Sequence, residues 1–212
     1  MPLAFINSPI MFCFQLVPLP ARRFLFALTV AGPLLASCSG GGGNDATEAA
    51  NAQNDNKISA EDVTAKQEAD AEFLVKTTSN ALLEVELGKL AQARATTPVV
   101  RAYGTHLVQN RLALLGAVRA LATTRGLTVP SALGGDEQAA YHEVSTKTGS
   151  QIDKSVMELI VKVQKQDENA MDDMKDDAYD GDIRGFAAKY QAPVQEELAG
   201  AKEVAETIED QP

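Results

Sequence analysis

The sequence predicts an all-α fold: an up-and-down bundle of four long helices with one additional short helix. Three observations over the 212 residues predict it. Apolar residues recur at three-or-four spacing in every long segment from Lys66 onward, and no run alternates convincingly as a strand would. The interruptions carry helix-terminus chemistry, as at Thr97-Pro98 and Gly126. Aromatic residues make up only 5% and Trp is absent, while Ala and Leu abound. That composition suits closely packed helices better than an aromatic-rich groove.

Taken in order, the first helix is expected over 66–95. The second begins with an N-cap, Thr97, followed by proline at the first helical position, and stops at Gly126 just after Arg125. Pro130 and Gly134-Gly135 mark a connection, and 136–147 reads as the short helix. The third long helix is expected over 150–179, broken by Asp180-Gly181-Asp182, and the last over 182–209 with Pro193 kinking it. Inward stripes follow from the spacing. They are Val100, Gly104, Leu107, Arg111, Leu114, Val118 and Leu121 on the second, and Ile152, Val156, Ile160, Val163, Ala170 and Met174 on the third long helix. The last helix offers Ile183, Ala187, Tyr190, Val194, Glu197, Ala201, Val204 and Ile208. Short links between such helices imply neighbours that run antiparallel.

Ahead of the bundle, Arg22-Arg23 precede a short apolar run, Phe24 to Ala36, that closes on Leu35-Ala36-Ser37-Cys38. A positive region, a short apolar core and small residues at its end make a secretory signal. The run falls short of the roughly 20 residues that span a bilayer. Leu-Ala-Ser-Cys resembles the lipobox of bacterial lipoproteins. The resemblance implies acylation of the Cys38 thiol, cleavage before it, and a membrane anchor. In such lipoproteins of Gram-negative bacteria Asp in the next position favours the inner membrane, so Ser39 directs the expectation to the outer membrane, facing the periplasm. Met1 to Ala21 carries no charge, which leaves Met11 as an alternative start.

The expected organisation is a signal peptide over 1–37, the lipidated cysteine and a flexible linker over 38–65, and the bundle domain over 66–212. Gly40 to Gly43 and the Asn/Asp/Ala-rich stretch that follows carry no apolar periodicity, hence the linker. The whole chain has a net charge of −10, and cleavage would remove two arginines and no acid. Such acidity argues against a nucleic-acid partner. Cys13 would leave with the signal and Cys38 would be acylated, so no disulfide is expected and a packed core must hold the fold.

Ala71-Glu72-Phe73-Leu74, Leu83-Glu84-Val85-Glu86-Leu87-Gly88, Pro98-Val99-Val100-Arg101-Ala102-Tyr103-Gly104 and Phe186-Ala187-Ala188-Lys189 resemble an exported bacterial family, domain of unknown function 4142. The resemblance covers about 70–205. It implies a ferritin-like bundle in the periplasm and brings no established activity. Many members carry histidines in the middle of the second helix, the middle of the third long helix and the last helix. Here Arg111, Gln164 and Glu197 stand at those places.

Ferritin-like di-iron sites use two Glu-x-x-His pairs and two further carboxylates. The sequence has no Glu-x-x-His, and its histidines, His106 and His142, stand alone. No metal, cofactor or catalytic residue is therefore expected. Gly-x-Ser-x-Gly is also absent, which removes one nucleophile motif. Arg111 and Glu197 interrupt apolar stripes, and a buried charge requires a partner. Glu84, Arg111, Gln164 and Glu197 are thus the candidate buried polar site, with Arg111 pairing to Glu197 or Glu84 or else reaching to water. The acids between Asp167 and Asp182 read as a solvated helical face and lack a calcium-loop frame.

The functional expectation is a lipid-anchored, non-enzymatic binding or envelope-maintenance module with an envelope protein as partner. The alternative is a metal-binding or redox protein of ferritin-like descent with an altered site built on Glu84, Glu86 and Glu197.

Overall fold

Six helices and no strand make up residues 45–59 and 65–209, which the computed structural model describes. They are α1 (Ala46–Ile58), α2 (Ala65–Arg94), α3 (Pro98–Arg125), α4 (Gly135–Ser145), α5 (Ser150–Asp177) and α6 (Gly181–Glu209). The signal segment and Cys38 lie outside the described residues. The five helices expected after residue 65 fall within two residues of their expected bounds. None of the described helices is long and apolar enough to cross a membrane.

Local chemistry fixes the ends. Thr97 is extended and Pro98 opens α3; Gly126 closes it in the left-handed region at φ 62°, where a Cβ would be strained. Asp153 reaches from α5 to the α2–α3 corner, accepting from Thr96 N at 2.7 Å, Thr97 N at 2.8 Å and Thr96 Oγ1 at 3.0 Å. Asp70 on α2 does the same for the α5–α6 corner, accepting from Tyr179 N at 3.0 Å and Asp180 N at 2.7 Å. Each helical hairpin is thereby tied at its turn by a carboxylate from the other. Pro193 lies inside α6, which continues through it.

The helices pair as α2 along α3 and α5 along α6, with α2 against α5 and a shorter contact between α3 and α6. The α2–α3 crossing is close because two glycines face each other. A Cβ on Gly104 would lie 2.7 Å from the Gly88 carbonyl oxygen and 2.8 Å from Ala91 Cβ. Overpacking costs about 1–3 kcal/mol, and alanine recovers roughly 1 kcal/mol of helix propensity. Gly104→Ala is therefore expected to destabilise by up to about 2 kcal/mol, read as a lower denaturation midpoint; a stabilised variant would contradict the close crossing.

The expectation of a flexible linker across 38–65 is corrected over 45–59. Asp45 caps α1, accepting from Thr47 N at 2.8 Å and Glu48 N at 3.2 Å, and its other oxygen accepts from Gly135 N at the start of α4. Only Ala50, Asn54 and Ile58 of α1 are buried. Polar anchors do the rest. Asn54 exchanges two hydrogen bonds with the Thr128 backbone, at 2.9 and 2.7 Å, and Lys57 Nζ donates to the Gly126 carbonyl at 2.6 Å. Composition suggested disorder because this helix is held mainly by hydrogen bonds.

The core falls into two apolar halves. One gathers Leu74, Val85, Leu114, Val118, Met171, Ile183, Phe186 and Val194. The other gathers Leu87, Leu90, Val100, Leu107, Ile152, Ile160, Val163 and Ala201. On each long helix the change from one half to the other falls near the same level: between 81 and 87, where the two halves interleave, then between 107 and 114, 163 and 171, and 194 and 201.

Candidate functional site

That level holds a polar layer. Arg111, from α3, is 1% exposed and is among the largest fully buried side chains. Its Nε lies 2.8 Å from Glu84 Oε2 on α2, its Nη2 2.5 Å from Glu197 Oε2 on α6, and its Nη1 3.8 Å from Asp167 Oδ2 on α5. One guanidinium thus meets a carboxylate from each of the other long helices. The Glu84 and Glu197 contacts are ion pairs by distance but not aligned hydrogen bonds, and Glu84 Oε1 has no hydrogen-bond partner among the described residues.

The sequence places Arg111 there by simple periodicity. It sits four residues after Leu107 and three before Leu114, both buried, so its side chain shares their face. Glu84 is flanked by Leu83 and Val85 on the heavily buried α2. Glu197 lies three residues after buried Val194 and four before buried Ala201.

Gln164 is wholly buried beside the layer. Its Nε2 donates to Tyr103 Oη at 3.0 Å, and Tyr103 Oη donates to the Glu197 carbonyl at 3.3 Å. The four residues of the expected polar site therefore converge, and Arg111 meets both Glu84 and Glu197.

Asp167 does not lie on the expected solvated face. It is 1% exposed and accepts from Asn80 Nδ2 at 2.6 Å. It stands four residues after Val163, so extending the apolar stripe at its own spacing reaches it. The later acids do face outward: Asp172, Asp173, Asp176 and Asp177 are exposed. On this helix the buried face turns to Met171, with Ala170 and Met174 only partly buried. Asn80 and Tyr103 were not legible as members, because neither residue type marks a core position by itself.

Electrostatics follow from burial. Desolvation pushes the Glu84 carboxyl well above the usual carboxylate range, against the pull of Arg111 and of the Gln164 side chain, while Asp167 and Glu197 push it further. Desolvation pushes Asp167 up to about 6, opposed by Arg111 and the Asn80 hydrogen bond. Burial works against the Arg111 charge, but Glu84, Asp167 and Glu197 outweigh it and raise its pKa. Arg111 therefore stays charged.

Of the three acids of the metal alternative, Glu84 and Glu197 meet at Arg111, but the third does not join them. Glu86 lies outside, paired with Lys89 at 2.7 Å. His106 is exposed beside Asn110, and His142 is exposed on α4. No group of three or more His, Cys, Asp or Glu among the described residues is placed to hold a metal ion. A cleft of about 220 Å³ opens beside the layer, lined by Asn110, Leu114, Tyr190 and Val194 together with Arg111 and Glu197.

Comparison with known proteins gives one match. The family described as domain of unknown function (DUF4142) matches residues 55–204. The chain belongs to this family. No curated protein and no solved structure matches it. The family match takes in the last part of α1 and all four long helices up to Val204, so it encloses every residue of the polar layer.

Proposed function

We propose that this member of the family is a lipid-anchored helical bundle of the cell envelope, held at the outer membrane through Cys38, and acting there as a non-enzymatic binding or maintenance module for an envelope protein partner. The four long helices, paired as α2–α3 and α5–α6, support a ferritin-like up-and-down arrangement for its body.

The observation that carries the non-enzymatic reading is the Arg111 layer. At the level where a helical bundle would gather ligands for a metal, a guanidinium meets all three inward carboxylates. Arginine is not a metal ligand and its fixed charge repels a cation. A redox or metal-binding role, the alternative, would have to displace Arg111 and to recruit Glu86 from its outward pairing.

Anchoring rests on the pattern from Arg22 to Cys38. Two acyl chains suffice for stable membrane attachment. In a bacterial host, wild-type chain is expected to take up labelled fatty acid and to sediment with membranes. Cys38→Ser should lose the label and appear in the soluble fraction. Retention of the unlabelled variant on membranes would overturn the lipid anchor.

A further inference from the structure

The polar layer is not balanced in charge. Glu84 from α2, Asp167 from α5 and Glu197 from α6 face a single cation, Arg111 from α3. The other groups turned to the layer are Gln164, Asn80 and Tyr103, none of which is charged, burial having raised the Tyr103 phenol above its usual range. Lys76, an exposed residue of α2, is the remaining cation that acts on Asp167, from farther away. Full ionisation would leave two negative charges uncompensated in the interior. A buried charge without a partner costs several kcal/mol, so at least one group must neutralise instead.

Geometry selects which one. Glu197 has 14% of its side chain exposed toward solvent, and it makes the shortest contact to Arg111. Asp167 accepts a hydrogen bond from Asn80, which favours its charged form. Glu84 has the least help: it is wholly buried, its oxygens make no aligned hydrogen bond, and apart from Arg111 only the neutral Gln164 side chain favours its charged form. The cleft stops at Arg111 and Glu197, and Glu84 does not line it. A proton is the one cation small enough to satisfy a carboxylate so enclosed.

We propose that the polar layer is a proton-binding site in which Glu84 is protonated at neutral pH, and that its ionisation on alkaline shift weakens the junction between the α2–α3 and α5–α6 pairs. Glu84 and Arg111 belong to one pair and Asp167 and Glu197 to the other, so a charge added on Glu84 repels two carboxylates across that junction. The direction follows from linkage. Glu84 and Asp167 both have folded-state values raised above their unfolded ones, which lie near 4. The stability they contribute is full below those unfolded values. It is lost as pH rises through about 6 for Asp167, and through the raised value of Glu84. The inference rests on the layer alone and does not depend on the lipid anchor.

The test compares the full chain with Glu84→Gln, a neutral isostere of the protonated acid. Infrared spectra at neutral pH are expected to show the carbonyl band of a protonated carboxyl in the wild type and not in the variant. Urea unfolding from about pH 5.5 to 8.5 should show the wild-type unfolding constant rising by up to about tenfold per pH unit as this proton is lost. The variant should fold and should lack that component of the slope. No such band in the wild type, a band kept in the variant, an unchanged slope, or a variant that fails to fold would each overturn the assignment.

Discussion

Arg111→Ala will destabilise the bundle by about 3–5 kcal/mol, the cost of breaking a buried ion pair by removing one partner. The change strands the carboxylates of Asp167 and Glu197, with the Glu84 carboxyl beside them, around a void between two apolar half-cores. Arg111→Lys will not restore the loss, because one ammonium cannot reproduce the fork that meets Glu84 and Glu197 from different nitrogens. The stranded carboxylates can take up protons, so the deficit will shrink as pH falls. Denaturant unfolding of the full chain at two pH values measures both effects. A loss within about 0.5 kcal/mol, ordinary for a surface substitution, would mean that the pairs hold nothing together.

Asp153→Ala is the second large effect, with an expected loss of about 2–3 kcal/mol, since hydrogen bonds to a charged group contribute about 1.5–3 kcal/mol. The substitution leaves the amides of Thr96 and Thr97 without their acceptor at the start of α3. Burial raises the Asp153 pKa, but the Thr96 and Thr97 hydrogen bonds prevail and lower it. Its contribution is therefore present above the unfolded value and disappears as pH falls through the depressed one, opposite in sign to that of the polar layer. Stability should peak in mildly acidic solution, between the two regimes. Hydrogen exchange in the variant should accelerate at the α2–α3 corner before it does so elsewhere; uniform acceleration would argue against a local tie.

The long helices were legible because their punctuation is local. Thr97-Pro98 and Gly126 state the limits of α3 in the residues themselves. The polar layer was legible wherever a charge broke an apolar stripe, as at Arg111 and Glu197. Asp167 escaped because it opens a run of acids, and the run's exposed majority disguised its buried first member. Helix α1 escaped for a different reason. Its stripe of Ala50, Asn54 and Ile58 holds a single large apolar residue, and its anchors are backbone groups of Thr128 and Gly126 more than 65 residues away. Hydrogen bonds to remote backbone leave no periodic trace in a sequence.

The position of α1 also sets a leash. Had the chain been free from Cys38 to residue 65, the body could stand roughly 100 Å from the point of acylation, at up to about 3.6 Å per residue. With Asp45 fixed against Gly135 and capping α1, seven residue steps separate the cysteine from the folded body, a reach of at most roughly 25 Å. On the proposed anchor, the end of the bundle that carries Asp45 and the start of α4 is kept close to the headgroups. A partner would then have to be met near the membrane, and on that anchor the Asp45–Gly135 contact would limit how far out the domain could search.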